Sequence, residues 1–474
     1  MGEETLLHAE FIKTAKKFKE KPAFIDKTTG KDVTYEKALI ASLIFAAKFK
    51  KYSPGFIGIM IPTSAGCALS ILGALISGRV PVLINYSAPA DKNAVYAQKK
   101  VGFKTIITSK ALLEKIGCPR IDGMVFIEDI MSSISVANKL SALSKSKLPV
   151  KLLLNRIHLG DPKDASVILF TSGSEKEPKA VPLSHLNISS NIEGLSEAFN
   201  LVNTDRFLAS LPFFHSFGLT SGLWMPLFFG MTIITYANPL DFKEICKIAR
   251  EEKITLMVGT PSFFWGYLNK SKAGDFSTIR IALAGADKCP DALRQAFLEK
   301  HNITLFEAYG TTETSPAISV NTPAFNRPGS VGKVLKNVEV KLVNIDTGNQ
   351  IATGESGKIL VKGDLVMEGY YDDLEETSLR LRDGWYDTGD MGFFDEDNYL
   401  WHSGRLKRFV KIGGEMISLV KVENELEKLL PSDIGCCVVE LPDLVKGANI
   451  IAVVTKKVES RKLIKALAKE LPAI

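Results

Sequence analysis

Residues Val167–His185 read VILFTSGSEKEPKAVPLSH. The branched and aromatic run Val167–Phe170 fits a buried strand. It leads into a loop of small and hydroxyl residues, Thr171, Ser172, Gly173 and Ser174, that ends at Lys179. Such a loop can aim backbone N–H groups and hydroxyls at phosphate oxygens, with the lysine supplying charge. The GxxxxGK[ST] spacing of a Walker loop is absent, so P-loop chemistry is not implied. By itself a Ser/Gly/Lys loop is more often a plain turn. Three further segments group reactive side chains: AYGTTET at Ala308–Thr314, GWYDTGD at Gly384–Asp390, and SGRLKRFVKIGGEMIS at Ser403–Ser418. Each residue also has a plain reading. Asp390 suits local hydrogen bonding in a Thr-Gly-Asp turn. Glu313 suits a helix start. His215, inside the aromatic run Phe213–Phe217, could be a satisfied core histidine, and Lys411 a solvated surface lysine.

In this order and spacing the four segments resemble the adenylate-forming superfamily of acyl-CoA synthetases, luciferases and peptide-synthetase adenylation domains. The match spans essentially the whole chain. LINYSAPA (Leu83–Ala90), FTSGSE, LPFFHSFGLTSGL (Leu211–Leu223) and ISVNTP (Ile318–Pro323) resemble one branch, the acyl-acyl carrier protein synthetase half of bacterial 2-acylglycerophosphoethanolamine acyltransferases. The acyltransferase half needs HxxxxD. None of His8, His158, His185, His215, His301 or His402 has Asp five residues on.

The resemblance implies a two-step reaction. ATP activates a fatty acid as acyl-adenylate, releasing pyrophosphate; a thiol then attacks the acyl carbon and AMP leaves. Thr171, Ser172, Gly173, Ser174 and Lys179 would hold the β- and γ-phosphates. Tyr309 would stack on adenine, with Gly310 and Thr311 in the same nucleotide-binding turn. Thr312 would bond the α-phosphate, and Glu313 would bind Mg²⁺, a hard cation suited to carboxylate and phosphate oxygens. Gly285 and Ala286 would line the adenine and acyl side. Asp390 would accept from the ribose hydroxyls with Arg405 assisting. His215 would lie where relatives gate the acyl and thiol channels. Lys407 would be the hinge, and Lys411 the lysine that faces the site during thioester formation.

Two departures stand out. The family loop TSGSTGxPKG reads TSGSEKEPKA, so Glu175 replaces a hydroxyl residue, and Lys176 and Ala180 replace glycines. A carboxylate near polyphosphate is repulsive unless it points away or is paired with Lys176. Lost glycines remove backbone freedom. The branch named above already carries Glu at the first of these positions. Second, relatives end with a P-K-T-x-x-G-K loop whose last lysine serves adenylation. No such loop follows Arg405, and Lys462, Lys465 and Lys469 on the last helix are poor substitutes. The expectation is a truncated ligase that binds ATP and acyl-adenylate but adenylates far more slowly than a longer form.

These residues need a scaffold. Phe56–Pro62, Val80–Leu83 and Lys104–Thr108 read as strands, alternating with helices at Ala65–Ile76 and Val95–Lys100. The alternation recurs at Arg206–Leu211, Gly218–Phe229, Thr232–Tyr236, Phe242–Glu251, Thr255–Val258 and Ile279–Ala284. It implies parallel sheets with covering helices. After about residue 329, short strands at Val338–Val343, Gly357–Val361 and Phe393–Leu400 suggest a small β unit. Strands Phe409–Lys411, Cys437–Leu441 and Ile450–Thr455 and helices Val420–Leu430 and Arg461–Glu470 suggest a last α+β piece. The expected fold is therefore α/β: a large N-terminal body (1–404) of two α/β subdomains, about 1–205 and 206–328, plus a β unit at about 329–404. A small mobile, incomplete α+β C-terminal domain (407–474) follows a hinge at 405–407.

Composition fits this. With 474 residues, 46% hydrophobic and 24% charged, the chain can bury large cores, and its net charge of +6 is too weak for a nucleic-acid binder. Cys67, Cys118, Cys246, Cys289, Cys436 and Cys437 form neither a disulfide framework nor a CxxC pair, which suits a reducing compartment. The acidic start MGEETLLHAEF lacks a secretory signal. The uncharged stretches Ser53–Gly78 and Phe207–Leu240 are long enough to span a membrane, but their prolines and polar residues favour a buried α/β core over a transporter. A linker between Asp129 and Asp161 carries Lys139, Lys145, Lys147, Lys151 and Arg156 with no acidic residue. It suits a solvated connection or, at 130–160, a peripheral contact with the inner face of a bacterial membrane. A cytoplasmic location is expected. Three readings stay open: ligation of a medium- or long-chain fatty acid to acyl carrier protein, the same chemistry with coenzyme A, and a non-catalytic nucleotide- or acyl-binding protein.

Overall fold

Branched and aromatic runs become strands, and small-residue or amphipathic runs become the helices that cover them. The computed structural model describes residues 5–87, 89–171, 177–412, 415–431, 434–443 and 447–470. The chain begins with α1 (Leu7–Lys17), β1 (Pro22–Asp26), β2 (Lys31–Thr34), α2 (Tyr35–Phe49), β3 (Gly55–Met60), α3 (Ala65–Ile76), β4 (Arg79–Leu83), α4 (Ala90–Val101), β5 (Ile106–Thr108), α5 (Lys110–Ile116) and β6 (Met124–Phe126). Helices α6 (Ile127–Ser132), α7 (Val136–Lys147) and α8 (Val150–Leu154) precede β7 (Ala165–Phe170), β8 (Ala180–Ser184) and α9 (His185–Ala198). Next come β9 (Arg206–Ala209), α10 (Ser216–Leu219), a π turn at Thr220–Trp224, α11 (Met225–Phe229), β10 (Thr232–Thr235), α12 (Phe242–Glu251), β11 (Leu256–Gly259), α13 (Pro261–Lys270), β12 (Ile281–Ala284), α14 (Asp291–His301), β13 (Leu305–Gly310), β14 (Ala317–Val320) and β15 (Lys333–Val334).

Two sheets result. One runs β6-β5-β3-β4-β7-β8, parallel except for the β7–β8 hairpin. The other runs β15-β14-β13-β12-β11-β9-β10-β1-β2 and is parallel from β13 to β1. Strands β1 and β2 come from the first block of sequence yet join the second sheet, where Phe24 pairs Ile233. Each sheet buries its own core: Met60, Val82, Ile106 and Ile168 under the first, and Phe264, Tyr267, Phe276 and Phe297 under the second. Alternating α/β elements thus form a large N-terminal body, with a smaller C-terminal piece after it.

The chain continues through β16 (Glu339–Val343), β17 (Gly357–Lys362), α15 (Leu374–Arg380), β18 (Leu381–Arg382), β19 (Trp385–Phe394), β20 (Leu400–Arg405), β21 (Phe409–Ile412), β22 (Glu415–Ser418), α16 (Leu419–Leu429), β23 (Cys436–Asp443), β24 (Gly447–Val454) and α17 (Ser460–Glu470). The chain divides into two units: Met1–Glu339 with Lys362–Gly384, and Val340–Val361 with Trp385–Ile474. Strands at 340–361 and 385–405 therefore group with the C-terminal segment, where the sequence reading sets them with the body. These strands are tied to the C-terminal segment by Ser418, whose hydroxyl donates to the Ser403 carbonyl at 3.1 Å. β19 and β20 run antiparallel from Asp390↔Arg405 to Phe394↔Leu400.

Three local expectations are corrected. Phe393–Leu400 is a hairpin turn, because the Asp395 carboxylate accepts from the Asp397, Tyr399 and Trp401 N–H groups and holds the reversal. The stretch between Asp129 and Asp161 is helical along α7 and α8, since Ser135 caps α7 in a reciprocal box with Asn138. Ala180 sits in a buried strand with an ordinary φ, so no glycine is needed there. Among the described residues, no helix is long and apolar enough to cross a membrane.

Helix α1 is held by buried histidines. His8 Nε2 lies 2.8 Å from the His158 carbonyl, and Leu7 N donates to His185 Nδ1 at 3.2 Å. Burial lowers the pKa of His8 to about 4 and of His185 to about 3. An unfolded histidine titrates near 6.5. The unfolded chain therefore takes up these protons first as pH falls. Stability is full above about pH 6.5 and declines toward pH 4, by up to about 1.4 kcal/mol per pH unit per histidine. Calorimetry between pH 7 and 5 should show a falling midpoint, with a shallower slope in His8→Gln. An unchanged slope would remove the assignment.

Candidate active site

The site residues of the first unit lie just beyond the carboxyl ends of its parallel strands, where open α/β sheets bind ligands. Strand order reverses around β9, which has β10 on one side and β11 on the other. Past β9 comes Phe213-Phe214-His215. Past β12 come Gly285 and Ala286, past β13 Thr311–Glu313, and past β7 Thr171.

The loop after β7 closes on itself. Thr171 N donates to the Lys179 carbonyl at 3.0 Å, and Lys179 N donates to Thr171 Oγ1 at 3.1 Å. Ser172, Gly173 and Ser174, with Glu175 and Lys176, lie outside the described residues. The Lys179 ammonium pairs with the Glu376 carboxylate and sits 4.9 Å from the centre of the Tyr370 ring. Lys179, with Arg380, holds the Glu376 carboxyl below the usual carboxylate range. The Tyr370 hydroxyl donates to Glu313 Oε1 at 2.8 Å. Tyr370 thus touches both the lysine and the carboxylate. Met367 N also donates to the Glu313 carbonyl, at 2.9 Å, fixing the chain around 364–377 against the 311–316 turn.

That turn is tightly built. Thr311 N donates to the Pro316 carbonyl at 3.1 Å and to Thr314 Oγ1 at 3.1 Å. Glu313 is buried, while Thr312 is half-buried and its hydroxyl makes no hydrogen bond among the described residues. Thr220, in the π turn, donates its hydroxyl to the Ser315 carbonyl at 2.9 Å. Tyr309 is buried in β13 one residue before Gly310. Ala286 adopts φ 67°, a left-handed conformation costly for an L residue. A Cβ on Gly285 would press on the Phe217 ring at 3.2 Å, so the aromatic run packs directly on this strand end.

His215 is accessible to solvent but crowded by protein atoms, and that crowding lowers its pKa. It is neutral at pH 7. Its ring lies 4.5 Å from Phe214, which meets Tyr86 edge-on at 4.9 Å. It is therefore not a satisfied core histidine.

In the second unit, Asp390 is buried in β19 opposite Arg405 in β20, with Arg405 Nε 3.1 Å from Asp390 Oδ1. His402 Nε2 lies 3.7 Å from the same oxygen. Asp390 N donates to Thr388 Oγ1 at 3.1 Å. Lys407 is exposed on the one-turn helix Leu406–Arg408. The Lys411 backbone pairs with Met416 in a hairpin, and its side chain lies outside the described residues.

The structure thus joins Lys179 and Glu313 through Tyr370 and Glu376, neither of which the sequence reading picked out. A signal existed: Asp373-Leu374-Glu375-Glu376 matches a helix N-cap with Glu three residues on, and Asp373 does cap α15. A cap motif gives no hint that the glutamate also faces a lysine 197 positions away. Among the described residues no cluster of three or more His, Cys, Asp or Glu could hold a metal. A single hard carboxylate completed by phosphate oxygens suits Mg²⁺ rather than a metal caged by protein, and Glu313 offers one.

Residues 11–371 match the family of AMP-binding enzymes. This chain belongs to that family. It is similar to the putative acyl-CoA synthetase YngI of Bacillus subtilis (strain 168), 30% identical over 406 residues that cover 83% of this chain and 70% of the relative. It is also similar to 4-coumarate-CoA ligase 1 of Narcissus pseudonarcissus, 26% identical over 440 residues, 88% of this chain and 78% of the relative. Its fold matches O-succinylbenzoate coenzyme A synthetase (MenE) from Bacillus subtilis in complex with AMP, with TM-score 0.83, 22% identity, and coverage of 98% of this chain and 92% of that one. The AMP-binding enzymes to which the chain belongs are adenylate-forming, and this chain is an ATP-using acid–thiol ligase of that class.

Proposed function

We propose that the chain activates a medium- or long-chain fatty acid as its acyl-adenylate and transfers the acyl group to the thiol of acyl carrier protein. The carboxylate oxygen attacks the α-phosphorus and pyrophosphate leaves. The thiol sulfur then attacks the acyl carbon and AMP leaves. The observation that carries the first step is the Lys179–Tyr370–Glu313 cluster at the carboxyl ends of β7 and β13, which sets one cation and one carboxylate around a single ring.

In this reading Thr171, Ser172, Gly173, Ser174 and Lys179 hold the terminal phosphates, and the unbonded Thr312 hydroxyl faces the α-phosphate. Glu313 would hold Mg²⁺, which supplies charge neutralisation at the phosphates when bound. Tyr309, Gly310 and Thr311 take the adenine, with Gly285 and Ala286 beside it. Asp390, oriented by Arg405, accepts from the ribose. Lys407 is the hinge, and Lys411 serves thioester formation. His215, neutral and beside Phe214, would gate acyl and thiol access.

Acyl carrier protein as acceptor is supported by the branch-specific stretches Leu83–Ala90, Leu211–Leu223 and Ile318–Pro323. Residues 402–474 also hold 13 basic and 9 acidic side chains, an excess of +4 suited to an acidic carrier. Coenzyme A is the second reading, favoured by relatives whose names include acyl-CoA synthetase and long-chain-fatty-acid–CoA ligase. Pyrophosphate release with a panel of fatty acids tests the first step, and thioester yield with each acceptor tests the second. Transfer to coenzyme A alone would replace the carrier-protein reading. No pyrophosphate with any acid would leave a nucleotide- or acyl-binding protein.

A further inference from the structure

Helix α7 is built inside out. Its protein-facing side carries small residues, Ala142 and Ser146, both buried. Its outward side carries Val136, Leu140 and Leu143 at helical spacing, with 71%, 60% and 41% of their surface exposed. Single exposed leucines are ordinary, but a stripe of them on a helix whose small face is buried is not. The helix is firmly seated all the same. Lys16 donates to the Leu148 carbonyl at 2.6 Å and to the Ser146 carbonyl, closing the C-terminal end. Lys147 pairs with Glu36 at 2.6 Å, and Lys48 bonds the Ser133 carbonyl at 2.7 Å ahead of the helix.

Charge surrounds the stripe. From residue 130 to 160 there are five basic side chains and no acidic one. Lys147 has its partner. Lys139, Lys145, Lys151 and Arg156 are exposed and make no ion pair among the described residues. Large apolar groups among unpaired cations are the signature of a surface that meets anionic lipid.

A second feature opens beside it. Beyond the carboxyl ends of β3, β4 and β5 lies a chamber of about 1140 Å³, lined by Ile44, Phe45, Leu69, Leu112, Met131 and Ile134. Among the described residues, none assigned to the nucleotide site lines it. Met131 and Ile134 lead directly into α7, and Ile116, Met131 and Leu240 stand exposed at its edge. An apolar chamber therefore opens next to the apolar, basic face.

We propose that the outward face of α7, with the cations of 139–156, seats the first unit on an anionic lipid bilayer, so that the chamber opens toward lipid. The face is too basic for a second copy of itself: like charges would oppose one another around the stripe. The proposal does not depend on which thiol accepts the acyl group.

Co-flotation of the full chain with phosphatidylglycerol-containing vesicles and with pure phosphatidylcholine vesicles tests it. The chain should float with the anionic vesicles, less as salt rises, and little with the neutral ones. Leu140→Ser with Leu143→Ser, and separately Lys139→Glu with Lys145→Glu, should each weaken flotation on the order of tenfold or more. These positions are exposed, so the fold and the turnover of a short soluble acid should be unchanged. No flotation with anionic vesicles, or equal flotation of all variants, would overturn the proposal. So would variants that float normally but change the solution oligomer or lose turnover with carrier protein, since the face would then serve a protein partner.

Discussion

Glu313→Gln lowers fatty-acid-dependent pyrophosphate release by roughly 100- to 1,000-fold while leaving the thermal midpoint nearly unchanged. The two effects separate for a structural reason. Glutamine keeps the volume and the carbonyl oxygen that accepts from the Tyr370 hydroxyl, the contact recorded at 2.8 Å. It loses the negative charge, which is what a divalent cation on the phosphates would require. Tyr370→Phe is the control. It removes the hydroxyl bond to Glu313 but keeps the ring that lies 4.9 Å from the Lys179 ammonium. Its loss should be about tenfold or less, because a hydrogen bond to a charged group is worth about 1.5 to 3 kcal/mol and part of that is positioning. Pyrophosphate release and calorimetry on both variants decide the matter. If Glu313→Gln costs less than Tyr370→Phe, the carboxylate charge plays no part in adenylation.

The parts of this site that were legible in the sequence are those whose signal is local. A strand of branched residues followed by Thr, Ser and Gly is visible within twenty positions, and so is the Thr-rich turn after Tyr309. The alternation of strands and helices gave the α/β class for the same reason. What escaped depends on distance along the chain. Strand β1 reads as part of the first block, but its partner is β10, and only the folded register of Phe24 opposite Ile233 places it in the second sheet. In the sequence Glu376 is only a first-turn residue of the helix that Asp373 caps. Its second role needs Lys179, and nothing in either segment names the other. Helix α7 escaped for a different reason. Its leucines and lysines read as a solvated connection or a membrane contact, with no helix assigned, because a helix is expected to bury its large apolar residues. The structure buries Ala142 and Ser146 instead, so periodicity alone could not have shown which face is covered. Ala180 shows the reverse case, a residue read as a departure that sits in an ordinary strand.

Gly310→Ala removes both nucleotide binding and part of the fold. A Cβ at this position would lie 1.7 Å from the Pro316 carbonyl oxygen and 2.7 Å from its carbon. The obstacle is backbone, so no side-chain rotation relieves it. That carbonyl accepts from Thr311 N at 3.1 Å and from Thr314 Oγ1 at 2.6 Å. Making room for a methyl group pulls the oxygen off both donors and opens the turn carrying Thr312 and Glu313. It also spreads β13 from β14 where their register already shifts, between Tyr309 and Gly310. Overpacking against backbone with loss of two hydrogen bonds should cost about 3 kcal/mol or more. AMP affinity should fall at least 100-fold, because Tyr309, Thr311 and Thr312 move together. Gly285→Ala is the comparison within the same site. Its nearest obstacle is the Phe217 ring at 3.2 Å, a side chain that can yield. It should bind AMP within about tenfold of the parent and unfold at nearly the parental midpoint. Calorimetry and AMP titration on the two alanine variants test whether the close approach at Gly310 builds the site, and parental AMP affinity in Gly310→Ala would show that it does not.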